Sequence, residues 1–422
     1  MKLIQNLQDI QNTSTLLHDQ GTFEFTTLPT GLFPAATVQD KTEYTGYQSV
    51  WVRDNIYIAY AHYVLGKTDI VIKNITSLLT YFQKHRCRFQ TIIEGQANPQ
   101  EVMNRPHIRF DGNNLEEIDQ KWAQAQNDAL GYFLWFYCKL VNEGILTTQS
   151  EHLELIALFP LYFQAIAYWQ DEDNGHWEEV RKIEASSIGV VLASLKELKQ
   201  LLSKTSIASA CQYKDRRITH QLLDKLIEQG NTALKTILPA ECIQREPNKN
   251  RRYDAALLFL IYPLQIVEEE IAKQILDDVI NNLQGERGIR RYLGDSYWCA
   301  DYKAKLAPEA RTIDFSDNMS ERDTLLKEGE EAQWCIFDPI ISAIFGLKFQ
   351  QTHQKKYLEQ QIYYLNRSLS QLTGEDSEFG QYKCPELYYL ENGNYVPSDA
   401  TPLLWTQANL LIALKMAEYS FL

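Results

Sequence analysis

Positive charge is in short supply in this sequence. Its 41 Lys and Arg face 55 Asp and Glu, for a net charge of −14. A surplus of that sign argues against nucleic acid, where basic patches must neutralise phosphates. It argues equally against an anionic membrane surface. No apolar run reaches membrane-spanning length, and the start, Met1-Lys2-Leu3-Ile4-Gln5-Asn6, turns polar before an apolar stretch develops. Cysteines are few and odd in number: Cys87, Cys138, Cys211, Cys242, Cys299, Cys335 and Cys384, with no C-x-x-C. That pattern reads as free thiols in a reducing compartment, so the cytoplasm is the expected location. The eight histidines are scattered, with no H-x-x-x-H pair, so neither a metal nor a cofactor is expected. Strand-like alternation is scarce, and no fixed-period repeat marks an open solenoid.

What is abundant is helical periodicity. It predicts twelve helices near residues 3–18, 50–66, 69–86, 121–142, 150–169, 185–203, 208–237, 252–261, 267–284, 332–348, 353–373 and 402–420. Pro160 is expected to kink the fifth and Pro339 the tenth. Odd-numbered helices read as amphipathic; the eleventh sets Leu358, Ile362, Leu365, Leu369 and Leu372 on one face. Even-numbered helices read as apolar all round, as in Ala129-Leu130-Gly131-Tyr132-Phe133-Leu134-Trp135-Phe136. A helix apolar all round is buried and an amphipathic one covers it. Links after even helices look short, as at Gly66-Lys67-Thr68 and Lys204-Thr205-Ser206; those after odd helices are long, at 19–49, 87–120, 170–184, 238–251, 285–331 and 374–401. The expectation is an all-α (α/α)6 toroid of twelve helices in two concentric rings. It spans residues 1–422 as one domain, with the long loops on one working face.

Those loops carry chemistry. Trp51-Val52-Arg53-Asp54 precedes the second helix, and Trp122 through Asp128 opens the fourth. Gly175-His176-Trp177-Glu178-Glu179 precedes the sixth, and Arg251-Arg252-Tyr253-Asp254 the eighth. Arg291-Tyr292 and Asp295-Ser296-Tyr297-Trp298 precede the tenth, and Pro385-Glu386-Leu387-Tyr388 and Trp405 the twelfth. Six of the eight tryptophans (51, 122, 177, 298, 334, 405) lie in these segments. Aromatic faces pack on the C–H faces of sugar rings, while carboxylates, amides and Arg forks serve the hydroxyls. A neutral sugar is therefore the expected partner.

Cleaving a glycosidic bond takes two carboxyl groups, one an acid and the other a base or nucleophile. Glu178 is a candidate acid, since Glu179 and Trp177 beside it favour the protonated form. Two adjacent Glu at a helix start also fit a solvated, dipole-favoured first turn. For the second carboxyl, Glu386 competes with Glu330, Glu331 and Glu391 on residue pattern alone.

These motifs, in this order, resemble glycoside hydrolase family 15, the glucoamylase-like α/α-toroid enzymes. They are similar also to the N-terminal domain of phosphorylase kinase α and β regulatory subunits. Trp51-Val52-Arg53-Asp54 resembles the family's W-x-R-D, which implies that Arg53 and Asp54 hold the terminal glucose. Trp122–Asp128 resembles W-G-x-x-Q-x-D, with Ala123 in place of Gly. Trp177-Glu178-Glu179 resembles the W-E-E run, implying Glu178 as general acid and Glu179 as a substrate contact. Arg291-Tyr292 with Asp295 resembles R-Y-x-x-D, implying a sugar-binding Arg291. Glu386, with Pro402-Leu403-Leu404-Trp405, resembles the closing block, implying Glu386 as general base. Leu387 stands where the enzymes usually have Gln.

The resemblance thus implies an inverting, exo-acting α-glucosidase that releases glucose from the non-reducing end of short α-glucans. Its catalytic pair would be Glu178 and Glu386. Its substrate contacts would be Trp51, Arg53, Asp54, Trp122, Asp128, Trp177, Glu179, Arg291, Asp295, Trp298 and Trp405. The alternative is a glucan-binding regulatory module without turnover, the one case in which a protein partner is expected.

Overall fold

The computed structural model describes residues 2–37 and 40–422, and the side chains of all of these except 40–42. Met1, and Val38 and Gln39 of the expected 19–49 loop, lie outside the described residues. Twelve helices form the frame, at Leu7–Asp19, Val52–Val64, Thr68–Lys84, Asn127–Asn142, Ser150–Ala165, Ala185–Leu201, His220–Ile237, Leu258–Ile261, Glu269–Asn282, Phe337–Thr352, Lys355–Ser370 and Leu404–Phe421. They are numbered here first to twelfth. The even-numbered six close a ring. The second packs on the fourth, the fourth on the sixth, the sixth on the eighth, the eighth on the tenth, the tenth on the twelfth, and the twelfth on the second. Each also packs against the odd-numbered helix that surrounds it. The result is the all-α (α/α)6 toroid.

Side-chain pattern explains the two rings. Every residue of the second helix from Val52 to His62 is buried, including Arg53, Asp54 and Asn55. The third buries Val71, Asn74, Ile75, Leu78, Leu79 and Phe82, spaced by three and four, and turns its other side outward.

Several expectations need correction. The fifth helix is not amphipathic: Leu155 through Phe163 are all buried. A short helix at Cys87–Ile93 and the strand Gln212–Tyr213 pack over its outer side. The link after the sixth helix is not short. The stretch expected to begin the seventh helix instead forms a turn of helix at Thr205–Ala210 and a hairpin of Gln212–Tyr213 with Arg216–Arg217. Pro339 does not interrupt the tenth helix. That helix begins at Phe337, and in a first turn the missing N–H has no partner to lose. Pro160 does lie within a helix, which runs on to Ala165. The eighth is a single α turn after a 3-10 turn at Ala255–Leu257.

Short strands, without any marked alternation in the sequence, fix the loops. Val50–Trp51, Arg109–Asp111 and Glu116–Glu117 form one antiparallel sheet, with Trp51 opposite Arg109. Gln333–Trp334, Leu387–Glu391 and Asn394–Pro397 form another, with Trp334 opposite Leu387. The fourth and tenth helices therefore start later than periodicity suggested. Trp122 and Trp334 project from extended chain. No helix among the described residues is long and apolar enough to cross a membrane.

Candidate active site

The starts of the inner helices converge on one pocket with a cavity volume of about 120 Å3. Since a water's share of liquid volume is about 30 Å3, the pocket has room for several waters. Arg53 and Asp54 enter from the second helix, Trp51 and Trp122 from the extended chain before the second and fourth, and Trp405 from the twelfth. Trp177 and Glu178 come from the turn before the sixth, and Arg291, Trp334 and Glu386 from the later loops.

Glu178 owes its position to its backbone. It takes a left-handed conformation, φ 60°, in a turn opened by Gly175 at φ 56°. A non-glycine residue there is strained, a cost that clusters at functional sites. The turn sends two adjacent glutamates to different places. Glu178 faces the pocket with its side chain 17% exposed, while Glu179 is buried at 2%. The Trp122 indole Nε1 donates to Glu178 Oε2 at 2.9 Å, and Arg53 Nη2 lies 3.4 Å from Oε1. Burial, only partly offset by Arg53, pushes the Glu178 carboxyl above its ordinary range. That favours the protonated form an acid catalyst requires.

Glu386 is fixed by the second sheet. Its carbonyl accepts from the Cys335 N–H at 2.9 Å, and its own N–H donates to Ala400 at 3.1 Å. The Tyr47 hydroxyl donates to Oε1 at 2.7 Å and lies 2.9 Å from the Tyr297 hydroxyl. Burial pushes the Glu386 carboxyl to about 7, against the pull of the Tyr47 hydrogen bond. Leu387, where the family usually has Gln, is fully buried in the sheet and does not line the pocket. Asp54, in the first turn of the second helix, is raised to about 7 by burial against the opposing pull of Arg53.

Beneath the pocket lies a layer of buried ion pairs. Arg53 Nη1 holds Asp128 at 2.6 Å and Gln126 at 3.1 Å. Glu179 accepts from Arg251 at 2.8 Å, Arg291 at 3.1 Å, Arg322 at 3.3 Å and the Tyr292 hydroxyl at 2.6 Å. Burial alone would raise its carboxyl. The cations Arg251, Arg291, Lys182 and Arg322 overwhelm that cost and hold it well below the usual range. Asp295 clamps Arg291 through Nε at 2.6 Å and Nη2 at 2.7 Å. Asp128, Glu179, Asp295 and Trp298 do not line the pocket. The first three act on the arginines, and Trp298 packs on Tyr302 and Tyr389.

Trp51, Arg53, Asp54, Trp122, Trp177, Glu178, Arg291, Glu386 and Trp405 are the expected residues that the pocket brings together. Glu330, Glu331 and Glu391 are not among its walls. Glu331 instead accepts from the Gly294 N–H at 2.9 Å, and Glu391 from the Tyr389 hydroxyl at 2.7 Å. Residue pattern did not single out Tyr47, Arg322 or the wall at Thr312–Phe315. Tyr47 lies four residues before Trp51 in a loop without periodicity. Arg322 and the wall sit in the long segment before the tenth helix. Tyr297, Trp334 and His176 stood within recognised motifs, and all three line the pocket. His176 is lowered to about 4 by burial, so it is neutral near pH 7 and joins Tyr132 and Ser186 at 3.1 Å each.

Away from the pocket, Glu184, Glu241 and Cys242 each bring one ligand atom within 4.8 Å of the others. Glu241 already accepts from the Ser186 N–H and hydroxyl at the start of the sixth helix. Lys182 and Arg251 supply the positive charge facing Glu184.

An (α/α)6 toroid whose pocket is lined by tryptophans and by the raised carboxyls of Asp54, Glu178 and Glu386 is glycoside-hydrolase-like. The model of the glycosyl hydrolases family 15 matches residues 23–261, and the chain belongs to that family. The match includes Glu178, while Arg291 and Glu386 lie beyond it. A probable phosphorylase b kinase regulatory subunit alpha of Caenorhabditis elegans is 27% identical over 405 residues. That alignment takes in 87% of this chain and 30% of the relative, so the chain spans under a third of the relative's length. Among solved structures, a wild-type glycosidase superposes with a TM-score of 0.64 at 15% identity, covering 97% of this chain and 96% of that one. The glucoamylase from Saccharomycopsis fibuligera gives a TM-score of 0.61 at 12% identity, covering 98% and 96%. At such identities the likeness is one of fold.

Proposed function

We propose that the chain is an inverting, exo-acting α-glucosidase that releases glucose from the non-reducing end of short α-glucans. The carrying observation is that Glu178, partly exposed, and Glu386, buried, both line one pocket with their carboxyls raised. Glu178 protonates the leaving oxygen. Glu386, oriented by Tyr47 and flanked by Tyr297, takes a proton from the attacking water. Inversion asks for roughly 6.5–9.5 Å between the two carboxyl groups, room for that water. Arg53, Asp54 and Arg291 serve the hydroxyls of the terminal ring, and Trp51, Trp122, Trp177 and Trp405 its faces. Asp128, Glu179 and Asp295 hold the arginines that do so.

Because Glu386 must be ionised to act, kcat/KM should fall as pH drops through about 7. The direct test is digestion of maltose, isomaltose, trehalose and panose, with the anomer followed by NMR. β-Glucose as first product is expected. If the glucose freed from the non-reducing end of maltose, isomaltose or panose emerged as α, inversion would be excluded, and no glucose from any of the four would exclude the hydrolase.

A second reading has its own support: a glucan-binding regulatory module. It rests on the alignment with the kinase regulatory subunit over most of this chain. It expects saccharide binding by calorimetry with no product formed.

A further inference from the structure

Arg109 is buried at 7% exposure, yet no carboxylate among the described residues pairs with it. Among the described residues its side chain makes one hydrogen bond, from Nη1 to Gln120 Oε1 at 3.2 Å, and its Nε finds no acceptor. A buried cation without a counter-ion is costly. The fold stations it there through the strand register, which sets Arg109 opposite Trp51. The guanidinium lies 4.0 Å over the Trp122 ring and 5.1 Å over that of Trp51. Such contacts are attractive and stronger when desolvated.

Trp122 in turn donates to Glu178 Oε2 at 2.9 Å. An indole N–H only donates, so it ties down Oε2 as an acceptor, while Arg53 Nη2, also a donor only, lies 3.4 Å from Oε1. A cation on the indole face holds the ring and polarises its N–H toward Glu178. We propose that Arg109 is a positioning residue of the reaction. Through the Trp122 ring it holds the Glu178 carboxyl in place at the pocket, and its positive charge favours the ionised form of that carboxyl. The inference rests on reading Glu178 as the acid. The other charges facing Glu178 are Arg53 and Asp54 from the second helix. Facing Arg109 are Glu178, Tyr47 and Asp314.

The test compares Arg109→Met with Arg109→Lys. Two quantities are measured: the pH profile of kcat/KM on maltose, and the titration of the Glu178 carboxyl by 13C NMR, assigned with Glu178→Gln. Removing a nearby cation favours the neutral acid. In Arg109→Met both the alkaline limb and the titration should therefore move up by roughly one pH unit. Arg109→Lys should keep both close to wild type. A purely structural role would lower melting temperature or kcat without moving either. An unmoved Glu178 titration in folded Arg109→Met overturns the proposal, as does an equal shift in Arg109→Lys. If Arg109→Met does not fold, Arg109→Gln answers to the same criteria. A wild type without turnover whose Glu178 titration still responds to Arg109 would refute the hydrolase and leave this placement standing.

Discussion

Replacing Glu386 by Gln should make the protein more stable while abolishing turnover. The carboxyl is held at about 7 where an ordinary glutamate sits at 4.5, chiefly because burial penalises the charged form. The folded state thus binds a proton that the unfolded chain releases between those two values. Stability is full below about 4.5 and is lost as pH rises toward about 7. The loss amounts to at most ~3 kcal/mol, since a tenfold change in proton affinity is about 1.4 kcal/mol. Gln is nearly isosteric, and its amide oxygen still accepts from the Tyr47 hydroxyl, so the neutral variant escapes the penalty. For a chain this long ~3 kcal/mol corresponds to ~3 °C in Tm. Differential scanning calorimetry of both proteins at pH 5 and pH 8 is the assay. The variant should gain on wild type at pH 8, and most of that gain should vanish at pH 5. An equal difference at both pH values would refute the reasoning, for it would mean that Glu386 carries no charge penalty in the fold.

Other consequences are as concrete. Glu178→Gln should lower kcat by about 10^2–10^4-fold on maltose, with saccharide affinity by calorimetry retained. Trp122→Phe keeps a ring for Arg109 but loses the N–H to Glu178 Oε2. Its kcat should fall while its urea midpoint stays near wild type. Glu179→Gln leaves Arg251, Arg291 and Arg322 without their shared anion, and urea unfolding should show a loss of about 3–5 kcal/mol.

The ring architecture was written plainly in the chain. A helix such as Val52–Val64, apolar on every side, has nowhere to go but inside others, and periodicity reports that directly. Burial on both faces is less specific than it looks, however. Ser150–Ala165 has the composition of an inner helix and sits outside, because Cys87–Ile93 and a hairpin cover it. Nothing in its own sequence names that cover. The same logic applies to the pocket. Arg53, Asp54 and Trp405 were legible because they sit at helix starts, whose direction periodicity supplies. Asp128, Glu179 and Asp295 were recognised as part of the site, and in the structure they sit one layer beneath the pocket, on its arginines. A carboxylate that serves a sugar and one that serves the arginine beneath it leave the same letter in a motif. Tyr47, Arg322 and Thr312–Phe315 reach the pocket through loop paths that no local pattern encodes. Arg109 stood in none of the motifs, since its role depends on the register of a two-residue strand.

The closure of the ring between the second and twelfth helices has a consequence for how the pocket comes into being. Glu178 and Glu386 are separated by about half the chain, and Glu179 waits for arginines that follow it by up to 143 residues. A ribosome that has made the first half has exposed the acid, Asp54 and Glu179, but none of the late arginines that neutralise Glu179. That half-built ring holds its carboxylates in water, where they cost nothing. They leave it as the second half of the chain, with Arg251, Arg291 and Arg322, packs against the first. Assembly of the pocket and completion of the fold should then be one kinetic event, dominated by contacts distant in sequence and correspondingly slow.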